Sequence, residues 1–362
     1  MEDQGHKFEL ILFTNESEML SQTFKLMKNY PFWITFNGDE FDLLYLYHRA
    51  KHLGLKNEDI PFFIEKTYKE VIAHPKNGIH IDLFKVFSTG LMTYAFPQVS
   101  RGPSLEELGQ AILGYGKLAS PDFTRFSEEL ATYCFRDSRM TLEVTTIDNS
   151  VTINIIILVA RIYNLPLEEL TRTYLLYANE SLFKWIHRTV NFLIPDIKPL
   201  QEKDSLPVPK SKTAKYKGAV IECEPGTYFG VGDWDFTSLY PGNFDKHNLS
   251  YETVNCPHQE CKSNVVPEHE IHVCKIYEGI IGAFLGAVRE LRMEYKKQAK
   301  TSSEFKAITG ALKICLLSFY GLFGSEKTTL KCLPVASACT AYSRTSLLTA
   351  KSIAKKYASL QE

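Results

Sequence analysis

Asp235-Phe236-Thr237-Ser238-Leu239-Tyr240-Pro241 sets a carboxylate at the end of an apolar run, immediately before a turn. A buried carboxylate is costly unless it is paired or binds metal, so Asp235 is a candidate Mg2+ ligand; a turn or helix-capping Asp is the plainer alternative. Downstream, Arg292 and Lys296 stand one helical turn apart, and Lys313, Leu317, Tyr320 and Gly321 share one face of a following helix. Three cations on facing helices beside a carboxylate-tipped strand suit a triphosphate and its Mg2+, because Arg/Lys and metal together neutralise phosphate charge. A solvated amphipathic hairpin would carry the same charges. Cys256, His258, Cys261, His269, His272 and Cys274 crowd into nineteen residues. Tetrahedral Zn2+ needs four such ligands, and Cys256, Cys261 and Cys274 with either His258 or His272 supply them. The spacing is not that of a standard finger, and a loop with incidental thiols competes with the metal reading. Cys134, Cys223, Cys315, Cys332 and Cys339 are scattered and read as small core residues.

Several elements must position these groups. Phe8–Phe13 and Phe32–Phe36 read as strands with a helical stretch, Glu16 to Lys28, between them, which gives an α/β layer domain. Ser104-Leu105-Glu106-Glu107 opens a further helix with a capping box. Residues 150–200 read as helical, and 200–215, with Pro207 and Pro209, as a surface linker. Tyr228–Leu239 follows a Pro-Gly turn and reads as a central strand tipped by Asp235. Two helices over about 279–300 and 303–322 form a hairpin, and a last helix runs from about Cys339.

Charge is unevenly spread along these elements. The whole chain of 362 residues carries a net −1, but residues 276–362 hold 13 Lys/Arg against 6 Asp/Glu, a net of +7 that leaves −8 for the remainder. Such asymmetry points to a polyanionic partner for the basic segment. The longest apolar run, within Ile153–Ala160 around Ile155–Val159, is far short of the ~20 residues of a membrane-spanning helix, and the N-terminus lacks the pattern of a signal peptide. An intracellular, cytoplasmic protein without a membrane partner is expected.

Taken together and in order, these motifs resemble family B DNA polymerases. Asp235–Pro241 is similar to the first palm motif, and Ala311-Leu312-Lys313 with Tyr320-Gly321 to the fingers motif. Phe36-Asn37-Gly38-Asp39-Glu40-Phe41-Asp42 resembles the second proofreading-exonuclease motif, and Tyr133-Cys134-Phe135-Arg136-Asp137 the third. His80–Leu83, Glu169–Thr173, Tyr216–Val220 and Asn248–Val254 look like the archaeal replicative branch. The resemblance implies a multidomain α/β and α+β chain. It would hold a partial RNase H-like 3′–5′ exonuclease domain (1–150), connecting helices and linker (151–215), the first part of the palm (216–255), the Cys/His insertion (256–275), a helical-hairpin fingers domain (276–325) and a palm helix (326–362).

The resemblance further implies roles. Asp235 would bind the two catalytic Mg2+ ions, Tyr240 would pack under the deoxyribose, and backbone amides of the Phe236–Leu239 stretch would help hold the triphosphate. Arg292, Lys296 and Lys313 would clamp its phosphates, with Tyr320 beside them. Asn37, Asp42, Tyr133 and Asp137 would be an exonuclease remnant, Tyr133 orienting water between two metal-binding carboxylates. Primer-template DNA and deoxynucleoside triphosphates would be the substrates. There are departures: no Asp-x-Glu pair precedes Asn37 on a plausible strand, and no second palm Asp motif follows the last helix. Leu317 stands where the family has Asn, and Gly242 where it has Ser. A two-metal site lacking one carboxylate is expected to bind Mg2+ poorly, so this chain alone is expected to polymerise little, as a fragment or as one subunit beside a second polypeptide carrying the rest of palm and thumb. A catalytically inactive DNA-binding relative and a zinc-dependent DNA-binding module are the alternatives.

Overall fold

The computed structural model describes residues 2–3, 5–67, 70–189, 216–325 and 327–358; the expected linker at 200–215 lies outside them. The chain divides into two units, Met1–Leu175 with Ala299–Ala311, and Leu176–Gln298 with Leu312–Glu362.

In the first unit, α1 (Glu16–Lys28) begins at Asn15, whose side chain accepts from the amides of Ser17 and Glu18, with acids in the first turn and Lys25 and Lys28 in the last. Its apolar stripe, Leu20 and Phe24, packs with Trp33, Leu43, Ile60 and Phe62 into one core, in which Phe62 stands edge-on to Phe24 and Trp33. The strands come as three pairs. β1 (Glu2–Asp3) and β2 (His6–Lys7) are antiparallel, as are β4 (Phe62–Lys66) and β5 (Val71–Pro75), while β3 (Phe32–Thr35) runs parallel to β6 (Ile79–Asp82) with Thr35 opposite Asp82. α2 (Asp42–His52) and α3 (Leu83–Ser88) follow β3 and β6. α4 (Leu105–Ile112) starts with the expected capping box between Ser104 and Glu107. α5 (Glu128–Tyr163) leaves helical geometry at Ile147–Ser150, and α6 (Leu167–Arg172) succeeds it. Buried Arg136 clamps Asp3 at 2.5 and 2.6 Å, tying β1 to α5.

Phe8–Phe13 is not a strand. Its alternation finds no sheet to lie on, and Leu10, Ile11 and Leu12 are exposed. Cys134 is exposed too, as is Cys223 in the second unit, whereas Cys315, Cys332 and Cys339 are core residues as expected.

The second unit is built of α7 (Leu175–Thr189), α8 (Leu239–Lys246), α9 (Ile280–Gln298), the part of α10 (Ser303–Gly324) beyond Ala311, and α11 (Leu333–Ala358). Phe183, Phe284 and Phe319 meet with ring centroids 5.3–5.9 Å apart, and Phe244 of α8 lies 5.5 Å from Phe323. α8 and α9 approach closely because α9 presents glycines: a Cβ on Gly282 would meet the Phe244 carbonyl oxygen at 2.9 Å, and one on Gly286 the Asp245 carboxylate at 3.2 Å. Arg289 of α9 completes the contact with an ion pair to Asp245 at 2.6 Å. Asn243 ties α8 to α11 through the Ser343 hydroxyl (2.8 Å) and the Cys339 carbonyl (3.3 Å). α11 starts at Leu333, earlier than expected, because Pro334 falls in its first turn, where the missing N–H has no helical partner to lose.

The expected strand Tyr228–Leu239 is absent. From 219 to 237 the described backbone has no regular structure, and Ile221 (90%), Phe229 (94%) and Trp234 (83%) are almost fully exposed. The segment is held at its start, where buried Arg344 donates to the carbonyls of Lys217 and Gly218, both at 2.7 Å. By length and composition α5 and α10 are apolar enough to cross a membrane, which the single run at 153–160 did not suggest. Val151, Ile155, Ile156 and Val159 of α5 and Ala311, Leu312, Cys315 and Phe319 of α10 are instead buried within the protein.

Candidate functional site

The turn after Asp235 delivers its neighbours to the foot of α8. Ser238, at the N-cap, has a left-handed backbone (φ 57°, ψ 53°), unusual for a residue with a side chain. Its hydroxyl lies 3.5 Å from Nη1 of Arg292 on α9. Burial lowers the pKa of the Arg292 guanidinium, a sign of the partly desolvated setting in which a cation meets an anion most strongly. Lys296, a turn further on, is exposed, as is Lys313 on α10. The Tyr240 ring lies 4.7 Å from that of Tyr320 on α10, and the Tyr320 hydroxyl bonds that of Tyr216. Burial pushes all three phenols up, Tyr320 the furthest, with Tyr216 adding to the shift, so they stay neutral and serve as ring faces and hydrogen-bond groups. Ser238, Tyr240, Arg292 and Tyr320 therefore form one constellation. It holds a cation, a helix N-terminus and two rings in contact, tilted 57° to one another, groups that suit a phosphorylated ligand with a flat or sugar-like body.

Asp235 is not part of it in the expected way. It is exposed rather than buried at a strand end, and it has no hydrogen-bond or ion-pair partner among the described residues. Its neighbours Phe236 (39% exposed) and Thr237 are exposed as well, and Leu239 is half-buried. Mg2+ needs several oxygen ligands, and the described residues gather three or more metal-ligating groups only at the Cys/His cluster, so they do not complete a Mg2+ site at Asp235. Leu317 is 38% exposed on α10, and open space surrounds the position a Gly242 Cβ would take, so a serine would fit there.

In the first unit, Asn37, Asp42 and Asp137 line a cleft of about 570 Å3. Buried Asp82 accepts from the amides of Asn37 (2.8 Å), Asp39 (3.1 Å) and Phe84 (3.0 Å) and so fixes the turn between β3 and α2. Buried Asp39 is held in turn by Arg172 (2.9 and 3.1 Å) and His80. Burial raises the pKa of Asp42. The cleft also contains a residue that no motif singles out: Lys117 forms an ion pair with Asp137 at 2.7 Å and lies 5.1 Å from the Tyr133 ring. The other Asp137 oxygen and the Asn37 side-chain oxygen are buried without hydrogen-bond partners among the described residues. With a lysine on one of two carboxylates, this cleft does not fit a pair of divalent metals.

The Cys/His insertion closes on itself. Cys256, His258, Cys261 and Cys274 each bring one ligand atom within 4.8 Å of the others, a group able to hold a metal ion. His272 is not among them, because its Nε2 bonds the Cys256 carbonyl oxygen at 2.9 Å, and His269 meets the Ser337 hydroxyl at 3.0 Å.

Comparison with known proteins identifies the family. A family model for DNA polymerase family B matches residues 177–362, and one for the family B exonuclease domain matches residues 2–93. DNA polymerase 1 of Sulfolobus acidocaldarius is 36% identical over 368 residues, covering 95% of this chain and 41% of that protein. DNA polymerase 1 of Aeropyrum pernix is 36% identical over 352 residues, covering 93% and 36%, and that of Pyrococcus abyssi is 27% identical over 355 residues, covering 91% and 44%. The chain thus spans less than half the length of these archaeal relatives. The solved structure of the family B DNA polymerase from the hyperthermophilic archaeon Pyrobaculum calidifontis shares the fold, with a TM-score of 0.67 over 95% of this chain and 45% of that one at 21% identity. With an exonuclease-domain region followed by a polymerase region that fills half its length, the chain belongs to DNA polymerase family B.

Proposed function

We propose that this chain supplies the nucleotide-holding part of a DNA-directed DNA polymerase that adds deoxynucleotides to a primer 3′ end during replication in the cytoplasm. The observation that carries this reading is Arg292 beside Ser238 at the foot of α8, with the Tyr240 ring 4.7 Å from that of Tyr320. Arg292 would grip the triphosphate as a fork, and the exposed Lys296 and Lys313 would add screened charge. The first amides of α8 would donate to phosphate oxygens, and the Tyr240 ring would lie under the deoxyribose. Mg2+, when bound, would supply the charge neutralisation and hydroxyl activation of a two-metal displacement. Asp235 would be one ligand, and a further acidic group is needed beside it.

We assign that group to polypeptide outside these 362 residues, carrying the rest of palm and thumb. The exposed apolar segment at 219–237, with the pattern of a strand and no strand partner among the described residues, supports this assignment. The deciding test is primer extension by this chain alone and mixed with a C-terminal polypeptide of an archaeal relative. Extension only in the mixture, with new amide-exchange protection over 219–237, is expected; no extension in either arm overturns the active split enzyme. For the first unit we propose DNA binding without cleavage, supported by Lys117 on Asp137. Degradation of single-stranded DNA by this chain, abolished by Asp42→Ala, would overturn that.

A further inference from the structure

We propose that Cys256, His258, Cys261 and Cys274 form a closed tetrahedral site for one Zn2+ ion that fixes the loop between α8 and α9. A tetrahedron with Zn–S of about 2.3 Å and Zn–N of about 2.0 Å has edges of roughly 3.5–3.8 Å. The four ligand atoms already lie within 4.8 Å of one another, and Cys274 Sγ and His258 Nδ1 are 3.5 Å apart, so closing on an ion needs shifts of about an ångström at most. All three thiols are buried and none is in a disulfide. Backbone amides already face the sulfurs: Lys275 N–H donates to Cys261 Sγ at 3.3 Å, and those of Ile276 and Tyr277 to Cys274 Sγ at 3.4 and 3.5 Å. Such donors offset the negative charge of metal-bound thiolates and orient them, as supporting groups around metal sites do. Three thiolates and one imidazole in a closed shell select Zn2+ over oxygen-loving cations.

The geometry also decides which histidine takes part. His272 supports the site from outside, through its bond to the Cys256 carbonyl.

The loop needs such a staple. Its regular structure is a 3-10 turn, Gln259–Ser263, and two isolated bridges, Val254 to Val273 and Val265 to His272. Immediately after Cys274 the chain turns into α9. Asn248 at the end of α8 donates to the carbonyls of Cys274 (3.0 Å) and Tyr277 (2.7 Å), and its side-chain oxygen accepts from Gly279 N–H at 2.6 Å. Glu252 accepts from Ile280 N–H at 2.6 Å, capping the first turn of α9. An ion joining 256, 258 and 261 to 274 therefore holds the entry of α9 against α8.

The test uses the full chain purified without chelator. Elemental analysis is expected to find about one zinc per chain, and exchange for Co2+ to give the intense visible bands of a tetrahedral thiolate site. Cys256→Ser and His258→Ala are expected to bring the zinc content close to zero, while His272→Ala retains it, and chelation is expected to lower the unfolding temperature. Wild-type chain that carries no metal, or iron, or a Cys261–Cys274 disulfide, overturns the proposal, and so does zinc lost in His272→Ala but kept in His258→Ala. Should the cysteine variants fail to fold, the wild-type metal content and cobalt spectrum still decide.

Discussion

Replacing Arg292 by Ala tests the nucleotide reading most directly, because its expected effect differs from that of its neighbour on the same helix. Arg292 is half-buried at the foot of α8 with its guanidinium 3.5 Å from the Ser238 hydroxyl, whereas Lys296 is exposed. A charge-assisted hydrogen bond in a partly desolvated site contributes about 1.5–3 kcal/mol, a factor of roughly 10–150 in affinity. An exposed ammonium acting on phosphate through solvent is screened within about 10 Å at 0.1 M salt and is expected to change affinity no more than a few-fold. Titration of a fluorescent deoxynucleoside triphosphate against the chain should therefore show a loss of about 10–150-fold for Arg292→Ala and a small, salt-sensitive one for Lys296→Ala. Arg292→Lys should recover only part, since an ammonium cannot fork across two phosphate oxygens. Melting temperatures of the variants separate a local loss from unfolding. Equal losses for Arg292→Ala and Lys296→Ala, or no nucleotide binding by the wild-type chain, would refute the placement of the triphosphate at Ser238.

Arg172→Met leaves the Asp39 carboxylate buried without its main partner and is expected to cost about 3–5 kcal/mol near neutral pH, read by denaturant unfolding. Burial alone would raise the pKa of Asp39, but hydrogen bonds from His80 and Arg172 outweigh it and hold it well below the usual carboxylate range. That stability is present above the unfolded pKa of about 3.9 and is lost as pH falls through the folded value. The gap between wild type and variant should narrow in acid; a constant gap refutes the pairing. Gly282→Ala puts a methyl group at 2.9 Å from the Phe244 carbonyl and is expected to destabilise by about 1–3 kcal/mol, less up to about 1 kcal/mol regained in helix propensity. An unchanged melting temperature would mean that α8 and α9 do not pack this closely. Lys117→Ala frees Asp137 but adds no carboxylate, so single-strand degradation should stay at background; measurable cleavage would show that the lysine alone blocks the cleft.

What the sequence made legible follows from the range of the interactions involved. α1 and α4 were readable because their caps and apolar stripes are local, and the spans of α9 and α10 lie within two residues of the helices expected at 279–300 and 303–322. The strands assigned to Phe8–Phe13 and Tyr228–Leu239 failed because apolar alternation specifies a strand only when another edge is there to pair with. The Cys/His set was visible as a cluster, but the choice between His258 and His272 turned on a bond to a backbone carbonyl 16 residues away. Lys117, between Gly116 and Leu118, follows no pattern; only folding brings it onto Asp137. The Arg136 clamp on Asp3, 133 residues apart, was equally out of reach.

The two sides of the proposed nucleotide site are built differently, and that difference has a functional consequence. The phosphate side rests on glycine-mediated contact between α8 and α9, the Asp245–Arg289 ion pair and the Asn243 tether to α11, all within the second unit. Such packing sets the position of Arg292 before any ligand arrives, so little ordering entropy opposes nucleotide binding. The Asp235 side rests on an exposed segment whose apolar side chains have no core to enter, so its geometry is not imposed by the same contacts. In the proposed reading, binding and chemistry should therefore separate: the preformed half would hold a nucleotide, while catalysis would wait for whatever pairs with 219–237 and brings a second carboxylate to Asp235.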